Sequence, residues 1–346
     1  MDKLENIWHG QLTADSFGKL KSLFITECRN LVTVFPWNVL ERFQRLELYL
    51  GRCDSVQEIY QLEGFNVEAN VVAAFELRDL SVCSLESLKH VWSKDPQGVF
   101  TFQSLISIRV YGCEVLKNLF PTSMAEGLLQ LEQLQIENHC GVEEIVAKAE
   151  GVELAPYFFK FPQPTFLELS NLPDLRSFYP GTYTCEWQKL RRLDIYDCPK
   201  VMKFAYQQLD SKDQKHPNST TFLFVGKVSP NLEELTLESE NLTATQLGQL
   251  PFDCFSKLKV LTLRALRNES RPFLLCFLER LCYLEEVIVC SGSLEELFSH
   301  GGFVGEEERA KTLARVKTLH LTAVHNLKHI WKQDSQVEPF FNIFRL

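Results

Sequence analysis

The chain has 346 residues, 45% of them hydrophobic, and its 36 Lys and Arg stand against 45 Asp and Glu for a formal net charge of -9. That balance, without any Lys/Arg-rich run, argues against nucleic acid as a partner. No apolar stretch approaches membrane-spanning length, and Met1 to Gln11 lacks the pattern of a signal peptide.

At the start of the chain, Leu4, Ile7 and Trp8 match the second half of a pattern that next appears whole at Leu20, Leu23, Ile25, Cys28, Leu31 and Val34. The same spacing returns at Leu77, Leu80, Val82, Leu85, Leu88 and Val91, and at Leu105, Ile108, Val110, Cys113, Leu116 and Leu119. Later copies begin at Leu190 and Val316. The central apolar residue falls at Ile25, Leu50, Val82, Val110, Ile136, Leu169, Ile195, Leu237, Leu263, Val289 and Leu321, mostly 25 to 33 residues apart. This is close to the leucine-rich-repeat period.

In each unit the Leu-x-Leu core alternates with polar residues, the period of two that lets a strand bury one face. One unit buries too few side chains to offset the entropy of ordering its backbone, so neighbours must stack. The predicted fold is an α/β repeat. It is a leucine-rich-repeat solenoid (horseshoe) with a concave parallel β-sheet and irregular or short helical convex segments. The reading predicts a single array of about eleven units over residues 1–346, incomplete at both ends, with a loop insertion at 205–231.

Several copies are irregular. Arg45 stands where the second unit calls for Leu, with Leu46 beside it as a substitute, and His139 takes the Cys slot of the fifth, displacing Cys140 by one residue. The eighth and tenth units lose register after Leu237 and Val289. The longest interval, 42 residues, lies between Ile195 and Leu237.

Eleven cysteines invite a disulfide or metal reading. Cys28, Cys53, Cys113 and Cys198, however, share one repeat slot that points inward, which makes them small core hydrophobes. An odd count without a signal peptide fits a reducing compartment. No phosphate-binding glycine loop, nucleophile elbow or His-Glu-x-x-His run is present, so no catalytic, cofactor or metal site is expected. His90 and His329 recur at one repeat position and are given a structural role. The aromatic pairs Ile7-Trp8, Val34-Phe35, Val91-Trp92, Leu119-Phe120, Phe178-Tyr179 and Ile330-Trp331 also keep fixed register, which favours packing on the convex side over ligand binding.

What remains free of packing duty is the outward side of each strand. One column runs from Phe24 and Tyr49 through Arg109, Gln135, Glu168 and Asp194 to His320. The next passes Tyr111, Glu137, Tyr196, Glu238 and Arg264. The candidate protein-binding residues are Phe24, Tyr49, Arg109, Tyr111, Glu137, Glu168, Asp194, Tyr196, Glu238, Arg264 and His320, because Tyr and Arg dominate interface energies.

The segments "FTFQSLISIRVYGCEVLKNLFPTSMAEGLLQLEQLQIENHCGVEEIV" and "SPNLEELTLESENLTATQLGQLPFDCFSKLKVLTL", with units ending alternately in Cys-x-x-Leu and in Leu-Lys-His-Ile-Trp, closely resemble the leucine-rich-repeat region of plant coiled-coil, nucleotide-binding disease-resistance proteins. The resemblance implies a non-enzymatic protein-interaction module of a cytoplasmic immune receptor. Its implied partners are a pathogen effector or guarded host protein and the receptor's own nucleotide-binding domain. ADP or ATP is expected only in that nucleotide-binding domain, which like the coiled coil is missing from this sequence. The alternative is a substrate adaptor of a ubiquitin ligase, although no F-box-like segment precedes the repeats here.

Overall fold

The structure, a computed structural model, describes residues 3–8, 13, 16–36, 39, 43, 45–62, 73–74, 76–93, 100–148, 157–180, 183–201, 230–238, 255–270, 274, 277–278, 280–299 and 314–332. The 205–231 insertion lies outside these residues save for its last two positions.

Eleven strands run parallel in chain order in one sheet. They are β1 (Ser22–Thr26), β2 (Leu46–Gly51), β3 (Leu77–Cys83), β4 (Ser107–Tyr111), β5 (Gln133–Glu137), β6 (Phe166–Ser170), β7 (Arg192–Tyr196), β8 (Glu234–Glu238), β9 (Val260–Arg264), β10 (Glu286–Cys290) and β11 (Thr318–Thr322). Each carries one of the eleven central apolar residues found in the sequence. The chain forms two compact units, one of Met1–Leu190 with Asp197–Phe222 and the other of Arg191–Tyr196 with Leu223–Leu346.

In the first unit, Leu23, Leu48, Leu80, Ile108, Leu134 and Leu167 stand opposite one another from strand to strand, as do Ile25, Leu50, Val82, Val110, Ile136 and Leu169. In the second, Leu193, Leu235, Leu261, Val287 and Leu319 do the same. Register is this strict because a slip of one residue would turn every Leu to the other face. Leu46 does fill the slot beside Arg45: it is fully buried, Arg45 adopts a left-handed φ of 58°, and the ladder shifts register after Leu46.

Most strands leave the sheet through a residue with positive φ, including Glu27, Arg52, Ser84, Gly112, Asn171, Asp197, Ala265, Ser291 and Ala323. Such a residue reverses the chain so that the next apolar side chain drops back into the core. The fifth unit uses two in succession, Asn138 and His139. This absorbs its extra residue: His139 is exposed and Cys140 is fully buried in the slot. In the tenth unit Gly292 stands at that position, where a Cβ would come within 3.0 Å of the Leu266 carbonyl, and packing resumes at Leu294 and Leu297.

The return path includes the α-helix α1 (Thr122–Gly127), and much of the described remainder is strand. Thr33–Pro36, Glu58–Gln61 and His90–Trp92 pair in parallel, as do Asn118–Pro121 with Glu144–Ala147, Tyr157–Phe161 with Tyr183–Trp187, and Glu296–Ser299 with His329–Lys332. Asn6 bridges to Thr33, so the first half-pattern takes its place on this side.

The aromatic pairs pack here as expected. Trp8, Phe35, Tyr60, Trp92 and Phe120 form a continuous column with successive ring centroids 5.9, 5.6, 5.8 and 5.8 Å apart. Trp8 also donates its indole N–H to the Val34 carbonyl at 2.7 Å. A second cluster joins Phe159, Phe161, Phe178, Tyr179 and Trp187, the tightest contact being Phe161 stacked on Trp187 at 4.7 Å. The last pair differs, since Ile330 is 48% exposed. His90 and His329 open their return strands with exposed side chains, and their backbone N–H groups bond Gln57 and Glu295.

Candidate interaction face

In the first unit the outward column Phe24, Tyr49, Ser81, Arg109, Gln135 and Glu168 stands in register across six strands. The second column, Thr26, Gly51, Cys83, Tyr111, Glu137 and Ser170, lies beside it. Phe24 is 69% exposed, with its ring 6.0 Å from that of half-buried Tyr49. Tyr49 leans over Gly51, where an added Cβ would meet the ring at 3.0 Å. Glycine here keeps the tyrosine flat on the sheet. Burial, then the neighbouring Cys83, pushes the Tyr49 phenol above its ordinary pKa.

Toward β6 the face becomes charged. The Arg109 Nε–H donates to Gln135 Oε1 at 2.9 Å, and Gln135 Nε2 donates to Glu168 Oε2 at 3.0 Å. One amide thus links a cation and a carboxylate two strands apart. Tyr111 is exposed and Glu137 half-buried beside this chain. Burial raises the Glu137 pKa, Glu168 raises it further, and Arg109 opposes both. Asp79 is raised as well, by burial and then by Glu47 across the strand pair, against the pull of Arg78.

In the second unit, Asp194, Thr236, Thr262, Ile288 and His320 share one register column. Asp194 is only 4% exposed; Arg192 Nε lies 2.8 Å from its carboxylate and 3.7 Å from that of Glu234. Asp194 therefore offers little surface to a partner. Arg264 sets its guanidinium 4.1 Å from the centre of the Tyr196 ring, a cation–π contact, and Glu238 is in register with Arg264. His320 Nε2 lies 3.2 Å from Glu286 Oε1.

All eleven predicted residues sit on strands of the sheet: Phe24, Tyr49, Arg109, Tyr111, Glu137 and Glu168 belong to the first compact unit, the other five to the second. Gln135, which the sequence places in the outward column, and Arg192 and Glu286 are absent from the candidates, although they hold Arg109, Glu168, Asp194 and His320 in place. The period of two could have found Arg192, since it precedes Asp194 by two residues and shares its face.

No described group of three or more His, Cys, Asp or Glu side chains is arranged to hold a metal ion. Nor is any described helix long and apolar enough to cross a membrane. The family of plant disease resistance protein RPS2-like leucine-rich repeats matches residues 1–141 and 231–345. The chain belongs to that family. Between the two matched stretches, this disease-resistance repeat region keeps its grammar: Leu167 and Leu169 of β6 face Leu134 and Ile136, and Leu193 of β7 faces Leu235.

Proposed function

We propose that this leucine-rich-repeat region is a non-enzymatic protein-interaction module. It contributes to recognition of a pathogen effector or guarded host protein, and to autoinhibition through contact with the receptor's own nucleotide-binding domain, inside the cell. ADP or ATP would act only in that other domain. The observation that carries the reading is the outward face of the first unit, which exposes the aromatics Phe24 and Tyr111 and carries the Arg109–Gln135–Glu168 chain. Large, varied side chains at strand positions that do not fill the core are what a recognition surface needs.

The test reverses Glu137 and Glu168 to Lys together in a full-length receptor carrying this region. Coprecipitation with the nucleotide-binding domain should fall, or the receptor should signal without a pathogen. Unaltered coprecipitation together with unaltered resting activity would remove this face from the proposal.

A further inference from the structure

Two triplets of strands repeat one design with a single residue changed. On β7, β8 and β9 the outward residues that close the strands are Tyr196, Glu238 and Arg264. Glu238 is in register with Arg264, while Tyr196 and Glu238 each follow by one residue the paired Ile195 and Leu237. Arg264 reaches back over two strand spacings, about 10 Å, and sets its guanidinium 4.1 Å from the centre of the Tyr196 ring. On β4, β5 and β6 the same positions hold Tyr111, Glu137 and Ser170, in register. The tyrosine and the carboxylate are kept, and a serine stands where the other triplet has its arginine.

The two tyrosines differ accordingly. Tyr196 is half-buried under its guanidinium, whereas Tyr111 is 39% exposed. Among the described residues, no group donates a hydrogen bond to the half-buried Glu137 carboxylate and no cation lies within ion-pair distance of it. Arg109, on the strand of Tyr111, gives its Nε–H to Gln135 Oε1 at 2.9 Å and is joined through that amide to Glu168. One cation therefore serves two carboxylates, Glu137 and Glu168. Burial and then Glu168 push Glu137 towards holding its proton, with Arg109 opposing, as befits a carboxylate short of a cation.

We infer that Tyr111 and Glu137 form a seat for an arginine side chain presented by the protein partner, in the manner of Arg264 over Tyr196. The inference rests on the recognition reading above and names the chemistry of that contact. A guanidinium fits better than an ammonium. Its plane can lie on the tyrosine ring while its N–H groups fork onto the carboxylate, and its weaker hydration makes it easier to withdraw from water. Ser170 is too short to fill the seat from within.

The test titrates the full chain with acetyl-Gly-Gly-Arg-Gly-Gly-amide and follows the Tyr111 ring and the Glu137 carboxyl by NMR. Two further peptides replace arginine by citrulline, an uncharged side chain of nearly the same shape, and by lysine, a cation that cannot fork. The arginine peptide should shift both signals, the lysine peptide should bind more weakly, and the citrulline peptide should shift neither. Glu137→Gln should weaken arginine-peptide binding about tenfold or more, and Tyr111→Leu about two- to fivefold. Ser170→Arg, which supplies the side chain from within, should abolish it. Equal binding of the lysine or citrulline peptide would overturn the inference, as would binding indifferent to both Glu137→Gln and Tyr111→Leu. Those two variants alter outward positions that fill no core slot, so they decide the matter even where Ser170→Arg fails to fold. Coprecipitation tells the two levels apart. If reversing Glu137 and Glu168 weakens it while the three peptides behave alike, the recognition face stands and the arginine seat falls. Arginine-selective binding beside unaltered coprecipitation would support the seat and remove the nucleotide-binding domain as its partner.

Discussion

Inward and outward positions alternate along the same strands, one residue apart, yet they follow different chemical rules. Inward, β3 to β6 present Leu80, Ile108, Leu134 and Leu167, almost the same side chain at each step and all essentially inaccessible. Outward, the adjoining column over the same four strands holds Ser81, Arg109, Gln135 and Glu168. Stacking demands that each inward slot match its neighbours in volume, because a methylene too few leaves a void. No such demand acts on the outward column, which is free to vary in charge and size.

The sharpest way to break this contrast is Leu134→Ala. The side chain is 1% exposed, and its loss should lower unfolding free energy by about 2–5 kcal/mol in urea titration. A loss under about 1 kcal/mol would mean that the slots are loosely packed and that the regular spacing has another cause.

The next substitution, Gln135→Ala, probes where the contrast is weakest. Gln135 lies on the outward column but is only 8% exposed and bonds Arg109 and Glu168 at once. Because both partners can turn to water, a loss near 1 kcal/mol is expected by the same titration. A loss as large as that of Leu134→Ala would make the polar chain part of the core, and the outward column would then not be free of folding duty.

The strands and their register were legible in the sequence because a period of two with identical slots leaves no other pairing that buries every Leu. Cys28, Cys53, Cys113 and Cys198 were legible as core for the same reason. The return strands were not, since each pairs with a segment 25 to 33 residues away and no periodicity marks a strand of three to five residues. The exit turns were half legible: Gly112, Asn138 and Asn171 are types that accept a left-handed φ, whereas Glu27, Arg52 and Ala265 give no such signal. On the candidate face, the columns were readable but not their internal bonds. The burial of Asp194 follows from Arg192, and the link between Arg109 and Glu168 runs through a glutamine that pattern alone marks only as polar.

The smallest expected effect tests the electrostatics of the outward face. Glu137 has its pKa raised from the ordinary 4.5 by burial and by Glu168, with Arg109 opposing. A raised carboxyl binds its proton more tightly when folded. Its contribution to stability is therefore fully present below pH 4.5 and is lost as pH rises through the folded value. Replacing it by the neutral Glu137→Gln should then stabilise the fold slightly at neutral pH, by a few tenths of a kcal/mol given its partial exposure, with no gain below the carboxylate range. Glu143 titrates the other way, its pKa lowered by Lys117 2.9 Å away, so acid weakens that contact as it relieves Glu137. Only the difference between variant and parent, followed by thermal unfolding from neutral pH into acid, isolates Glu137. Destabilisation at neutral pH would show that attraction to Arg109 outweighs burial and Glu168, and that this stretch of the face is electrostatically satisfied before any partner arrives.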